Sequence, residues 1–430
     1  MRVILPSETA LVLGGGGAKG AYEIGAIEAL ESLGIRASSV YGTSVGALNA
    51  AMYAQGRMDH AAALWEQLRL EDVVTEESAE LVEDIEKLFD HPDKLLDFIA
   101  RRGPKKSLDI TPFAAMLSAY VDEDRLRGSD IRFGLVATRF PSLSCVEKRL
   151  QDMAPGSVHS WLLASSACYP AFPAVTIDDD RFIDGGFCDN VPVGMAIRGG
   201  AKRIIAIDIG RSRAHDQYDR RPNITYIRTS HPLGSLLDFD PERSSRNRIL
   251  GRNDTLRAFG RLRGVRYSFD PHSVQAHLLE AETFLARLTL CESLLTPPGA
   301  LRRNADAAPL FSILEETLPP KPDAADYMLR ALELCAETAQ LNPAEVYTIE
   351  SLTDALRAHL PLEKADSMID SLLGGRIGVL FAPPQPDRRL VIACLFRLLE
   401  RERSFSPLAL RTLTAFPREM LCALTLREFL

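Results

Sequence analysis

Ser44 stands between two glycines in Gly42-Thr43-Ser44-Val45-Gly46, a spacing that lets a strand turn sharply into a helix and lift a hydroxyl clear of a sheet. At a helix N-terminus, where the dipole favours alkoxide character, that hydroxyl is a candidate nucleophile. Upstream, Gly14-Gly15-Gly16-Gly17-Ala18-Lys19-Gly20 offers backbone N–H groups free of side-chain obstruction at a second strand-to-helix turn. Such a cradle suits a phosphate and a developing oxyanion equally well. Far downstream, Asp184-Gly185-Gly186 puts a carboxylate at the C-terminal end of a short apolar run. None of the eight histidines has a catalytic context, His159 coming nearest, so Asp184 is the candidate base. The chemistry indicated is nucleophilic attack on an acyl carbonyl, with aspartate in the place usually held by histidine.

A second reading of the first motif is a dinucleotide fingerprint, Gly15-x-Gly17-x-x-Gly20. It needs an acidic residue about twenty positions on for the ribose, and Ser38-Ser39-Val40-Tyr41 supplies none. The alternative that survives is a non-catalytic module binding a nucleotide or anion through Gly15–Gly20.

The elements that must position these groups read as α/β. Thr9 to Leu13 is a branched apolar strand, and residues 21 to 33 carry Ile24, Ile27, Leu30 and Leu33 at the spacing of an amphipathic helix ended by Gly34. Ser39 to Tyr41 reads as strand and Val45 to Gln55 as helix, which together give the pattern of a parallel sheet. Residues 59 to 127 read as largely helical. Strand returns at Ile131 to Ala137, Arg181 to Ile183 and Arg203 to Ile209, and 211 to 223 reads as a loop. Beyond about 270 the strand signal fades into Leu- and Ala-rich helical periodicity broken by prolines. The expected division is residues 1–270 and a mainly helical domain or cap, 271–430.

A chain of 430 residues is long for one core. Its net charge of −8 speaks against nucleic acid. The seven cysteines form no Cys-x-x-Cys pair, which predicts reduced thiols in a cytoplasmic compartment. Neither a signal peptide nor a membrane span is expected. Residues 241 to 270 hold eight arginines against three acids, a patch that reads as a solvated helix face plus loop, or as a site for anionic lipid.

The three motifs in this order resemble the patatin-like phospholipase family, over roughly residues 9 to 270. The glycine loop with its basic Lys19, the Gly42–Gly46 elbow and Asp184-Gly185-Gly186 carry the resemblance. Ala164 to Pro173 and Asn190-Val191-Pro192-Val193 extend it. The resemblance implies a three-layer sandwich with a mostly parallel central sheet, and hydrolysis of fatty-acyl esters of phospholipids at a membrane surface. It implies a Ser44–Asp184 dyad, an oxyanion hole from the Gly15, Gly16 and Gly17 N–H groups, and no metal or cofactor. Lys19 would attract anionic head groups or anchor the loop. Nothing in it bears on the last 160 residues or so.

Overall fold

The computed structural model describes residues 8–83, 87, 107–210, 218, 221–295, 309–315, 317–373, 387–401 and 416–429. Its strands are β1 (Thr9–Leu13), β2 (Ser39–Thr43), β3 (Arg132–Phe140), β4 (Ser144–Arg149), β5 (Val175–Ile177), β6 (Asp180–Asp184), β7 (Arg203–Asp208) and β8 (Ile224–Arg228). They form one sheet in the order β5-β6-β3-β2-β1-β7-β8, with β4 also on β3. The run β3-β2-β1-β7-β8 is parallel throughout. β1 and β2 are buried along their whole length, as interior parallel strands covered on both faces must be.

Alternation along the strands divides the core. Ala10, Val12, Tyr41, Val136, Ile204 and Ala206 share one face with Val193, Met195 and Ala196 of the helix Val193–Arg198. Helices α1 (Ala21–Ser32), α2 (Val45–Ala54) and α3 (Met58–Trp65) follow the two N-terminal strands, and α2 packs on β1, β2 and β3. This is the expected α/β architecture.

Several local expectations are corrected. Helix α1 is buried nearly all round rather than along one stripe, because the helix Pro241–Ala258 lies against it. That second helix begins where Asp240 Oδ1 accepts the Arg243 N–H at 2.8 Å, with Pro241 in the first turn. Its arginines are largely engaged inside the fold. Arg248 bridges Glu28, at 2.7 Å, and Glu66, while Arg257 pairs with Asp254, which also accepts the Tyr22 hydroxyl at 2.6 Å. Arg243 holds Asp238 at 2.8 Å. Part of the run read as a basic patch is therefore an ion-pair network, while Arg243 and Arg252 remain exposed. β4, β5 and β8, too short or too polar to stand out in the sequence, complete the sheet. Most of the 211–223 loop and much of 84–106 lie outside the described residues.

Cys145 and Cys188 form a disulfide with their Cα atoms 5.5 Å apart, which corrects the expectation of seven free thiols. The pairing is set by β4 folding back on β3, a contact that cysteine spacing does not reveal.

The contacts fall into two units, Met1–Phe259 and Gly260–Leu430. The break falls ahead of residue 270 because Ser268–Phe269 pairs in parallel with Val346–Tyr347 in the second unit. That unit is mainly helical around Ala324–Ala339, whose Met328, Leu332 and Cys335 are buried. Its interior holds one fully buried carboxylate, Glu333, which accepts the N–H groups of Val265, Arg266 and Tyr267 at 2.6, 2.8 and 3.0 Å and faces Arg330 at 3.2 Å.

Candidate active site

The register of three strands on β3 brings the candidate nucleophile and the candidate base together. β4 pairs with residues 134–139 of β3 and occupies one edge. β2 pairs with 132–136 and β6 with 137–140, so both lie on the opposite edge, end to end. β2 ends with Thr43 opposite Val136, and β6, running the other way, ends with Asp184 opposite Ala137. Two strands thus meet head-on at their C-termini. Ser44 and Asp184 are the residues at the junction, and the Ser44 side chain lies beside the Asp184 carboxylate, favouring its charged form.

Ser44 has φ 56° and ψ −130°, a region that side chains rarely occupy. The turn is held by its surroundings. Ser165 Oγ accepts the Ser44 N–H at 3.0 Å and donates to Val136 O at 2.7 Å. The flanking glycines are steric requirements: a Cβ on Gly42 would sit 2.2 Å from Gly46 O, and one on Gly46 2.4 Å from Leu13 O. Asp184 is almost wholly buried and fixed from several sides. Its N–H donates to Ala167 O at 2.8 Å, Thr138 Oγ1 donates to its carbonyl at 2.8 Å, and its Oδ1 accepts the Gly186 N–H at 2.7 Å. Burial raises its carboxyl to a pKa of about 6, against the opposing pull of the Ser44 and Gly186 hydrogen bonds.

The glycine loop divides into engaged and open donors. Gly14 N–H donates to Ile207 O at 3.0 Å, Gly15 N–H to Asn190 O at 3.1 Å, and Ala18 N–H to Leu236 O at 2.8 Å. Asn190 returns Nδ2 to Gly15 O at 3.1 Å, so the segment after Asp184 clamps the loop on both sides of Gly15. The N–H groups of Gly16 and Gly17 lie between these anchors. Of the three expected donors, Gly15 is therefore a spacer whose N–H is committed elsewhere. Gly17 has φ 57°, and a Cβ there would stand 2.2 Å from Leu236 O. Gly17→Ala is expected to lower turnover by on the order of 10²-fold, because displacing the loop misplaces its donors; steady-state assay of the folded variant checks this.

Ser44 lies at a cavity of about 880 Å³, counting its open mouth. Val45, Leu48 and Met52 of α2, Leu64 and Trp65 of α3, and Phe113, Met116 and Leu117 of the helix Thr111–Tyr120 form its walls. Phe172, Leu236 and Phe239 close it. The lining is overwhelmingly apolar, which suits a hydrocarbon chain and not a nucleotide. Among the described residues no histidine lines it. His159 instead bonds Val121 O at 2.9 Å through Nε2. Lys19 stands in the 3₁₀ turn Gly17–Gly20, and Gly185 and Gly186 carry the turn after Asp184. No cluster of three or more potential metal-ligating side chains occurs among the described residues. No helix among them is long and apolar enough to cross a membrane.

Residues 11–197 match the family model Patatin-like phospholipase. This segment is a patatin-like phospholipase domain. The chain is 24% identical over 211 residues to patatin-like phospholipase domain-containing protein 7 of Rattus norvegicus, covering 49% of this chain and 14% of that protein. It is 26% identical over 218 residues to lysophospholipase NTE1 of Scheffersomyces stipitis, covering 49% and 12%. It thus spans only about a seventh of the length of these curated relatives. Among solved structures, VipD from Legionella pneumophila aligns over 99% of this chain and 90% of its own, at a TM-score of 0.36 and 15% identity. The patatin-like segment holds the glycine loop, Ser44 and Asp184, whereas Leu236 and Phe239 fall outside it.

Proposed function

We propose that this domain hydrolyses fatty-acyl esters of phospholipids or lysophospholipids through a Ser44–Asp184 dyad. The observation that carries the reading is the meeting of Ser44 and the buried Asp184 at the ends of β2 and β6, beside an apolar cavity. Ser44 Oγ attacks the ester carbonyl as Asp184 takes its proton. The tetrahedral intermediate, its oxyanion held by the Gly16 and Gly17 N–H groups, expels the alcohol, which receives the proton back from Asp184. Water then adds to the acyl-enzyme by the same relay and releases the fatty acid. A carboxyl titrating near 6 is a better base than an ordinary aspartate, and Asp184 is that much better suited to the task. The reaction calls for neither metal nor organic cofactor. A related lysophospholipase among the similar proteins supports the lipid class, and the apolar cavity supports a single acyl chain beyond the dyad.

The proposed setting is the cytoplasm, with transient contact at a membrane surface where the substrate resides. The Cys145–Cys188 link is the feature that points the other way, since cytosolic thiols are usually kept reduced. The test is mass-spectrometric product analysis after incubation with mixed phospholipid and lysophospholipid vesicles. Free fatty acid and the deacylated lipid are expected, and their absence with folded protein on every lipid and simple ester tried would overturn the reading. Filling the cavity with Leu117→Trp is expected to shift preference towards shorter chains by about tenfold, measured as kcat/KM across an ester chain-length series.

A further inference from the structure

One buried acid in this domain is unused by the chemistry above. Glu23, on α1, is fully buried, and its Oε1 has no hydrogen-bond partner. Its Oε2 accepts Asn49 Nδ2 at 2.8 Å. The same Asn49 Nδ2 donates to Gly20 O at 3.1 Å, and Asn49 Oδ1 accepts Trp65 Nε1 at 3.2 Å. Through Asn49 the side chain is therefore linked to Gly20, the last residue of the glycine loop. Asn49 belongs to the helix that starts at Ser44, and Trp65 is a wall of the cavity.

We propose that Glu23 is a positioning residue for ester hydrolysis, its carboxyl fixing Asn49 so that the end of the glycine loop is tied to the nucleophile's helix and Gly16 and Gly17 face Ser44. This rests on the reading of Ser44 as nucleophile. The geometry explains why a carboxyl sits where a hydrocarbon would pack: the Asn49 amide, which also serves the Gly20 carbonyl and the Trp65 N–H, must be satisfied away from water. Burial pushes the carboxyl well above the usual range. The charged neighbour acting on it is Asp208, at the end of β7, itself paired with Arg228 at 3.3 Å. From α2 and α3 come Asn49 and Trp65, which carry no charge. Helix Pro241–Ala258 brings Asp254 and Arg257, bonded to each other, with Asp254 also bonded to Tyr22.

The test compares Glu23→Gln, Glu23→Ala and Asn49→Leu with wild type, with Ser44→Ala as the blank. Glu23→Gln, which keeps an acceptor oxygen of the same reach for Asn49, is expected to retain kcat within about threefold. Glu23→Ala is expected to lose on the order of 10- to 100-fold in kcat, more than any change in KM, and Asn49→Leu, at a residue that also lines the cavity, to lose as much in kcat. Wild-type kcat in either of the last two overturns the proposal. So does a folded Glu23→Gln as slow as Glu23→Ala. Trp161→Phe leaves Trp65 as the sole tryptophan, and its indole N–H resonance reads the link without turnover. The resonance is expected to move in Glu23→Ala and stay in Glu23→Gln, and an unmoved signal in Glu23→Ala overturns the link even if Glu23→Ala is slow. Should wild type itself show no turnover above Ser44→Ala, it is the hydrolase reading that fails, and the indole signal still decides whether Glu23 holds the loop.

Discussion

Ser44→Ala is expected to cut fatty-acid release by about 10⁴-fold or more, since removing the nucleophile leaves only binding and the oxyanion donors. The fold should survive the change. The backbone contacts of the turn do not depend on the hydroxyl: the residue-44 N–H donates to Ser165 Oγ and its carbonyl accepts the Ala47 N–H. Ser44→Gly separates strain from chemistry. It is expected to be equally inactive yet more stable by about 1 kcal/mol, because φ 56° with ψ −130° is a conformation that glycine adopts without penalty. Product analysis gives the first number and chemical denaturation the second. Activity within tenfold of wild type in Ser44→Ala would remove the dyad.

The second large effect follows from Asp184. As a base it acts ionised, so kcat/KM is expected to rise with pH through about 6 and to level off above it. The raised pKa has a stability consequence of opposite sense. The folded-state pKa lies above the unfolded value near 4, so the folded protein binds this proton more tightly. That contribution is fully present below pH 4 and is lost as pH rises through 6. Above 6 the wild type carries a buried charge costing about 3 kcal/mol, since each tenfold loss of acidity between the unfolded and folded carboxyl is worth roughly 1.4 kcal/mol. Asp184→Asn is therefore expected to be inactive at every pH. It should also be more stable than wild type at pH 8 by up to that amount, with the advantage vanishing near pH 4. Denaturation of both proteins at pH 4, 6 and 8 measures it. An advantage that does not change with pH would mean that Asp184 is an ordinary carboxylate and its burial unimportant.

What the amino-acid string discloses of this site is whatever is local. β1, the glycine loop, α1, β2, the elbow and α2 are contiguous, and each is marked by an apolar run or a glycine turn that acts within its own few residues. Asp184 is visible because a short apolar run and two glycines surround it. Its partnership with Ser44 depends on β6 running antiparallel to β3 in line with β2, and strand direction leaves no mark in side-chain alternation. The split of the glycine loop into committed and open N–H groups is hidden for the same reason, being decided by Ile207, Asn190 and Leu236. Ser165 lies within the 164–173 segment that carries the family resemblance, but its two hydrogen bonds need the fold to be seen. Glu23 left a fainter trace. An acid flanked by Ala21, Tyr22, Ile24, Gly25 and Ala26 on a helix apolar on every side is an oddity that the amphipathic reading of α1 passed over. The arginines of 241–270 misled in the opposite direction, because charge counting within the run cannot see Glu28 and Glu66, which meet Arg248 from outside it.

The head-on meeting of β2 and β6 also says something about how the protein is made. Ser44 and Asp184 are separated by about 140 positions, and they meet only when β2 and β6 have both paired in register on β3. The elbow itself is local, so a molecule with native-like helix and an intact turn still lacks that meeting until both pairings are right. Fatty-acid release would then return no earlier than the slower of the two pairings, making turnover a readout of register on β3.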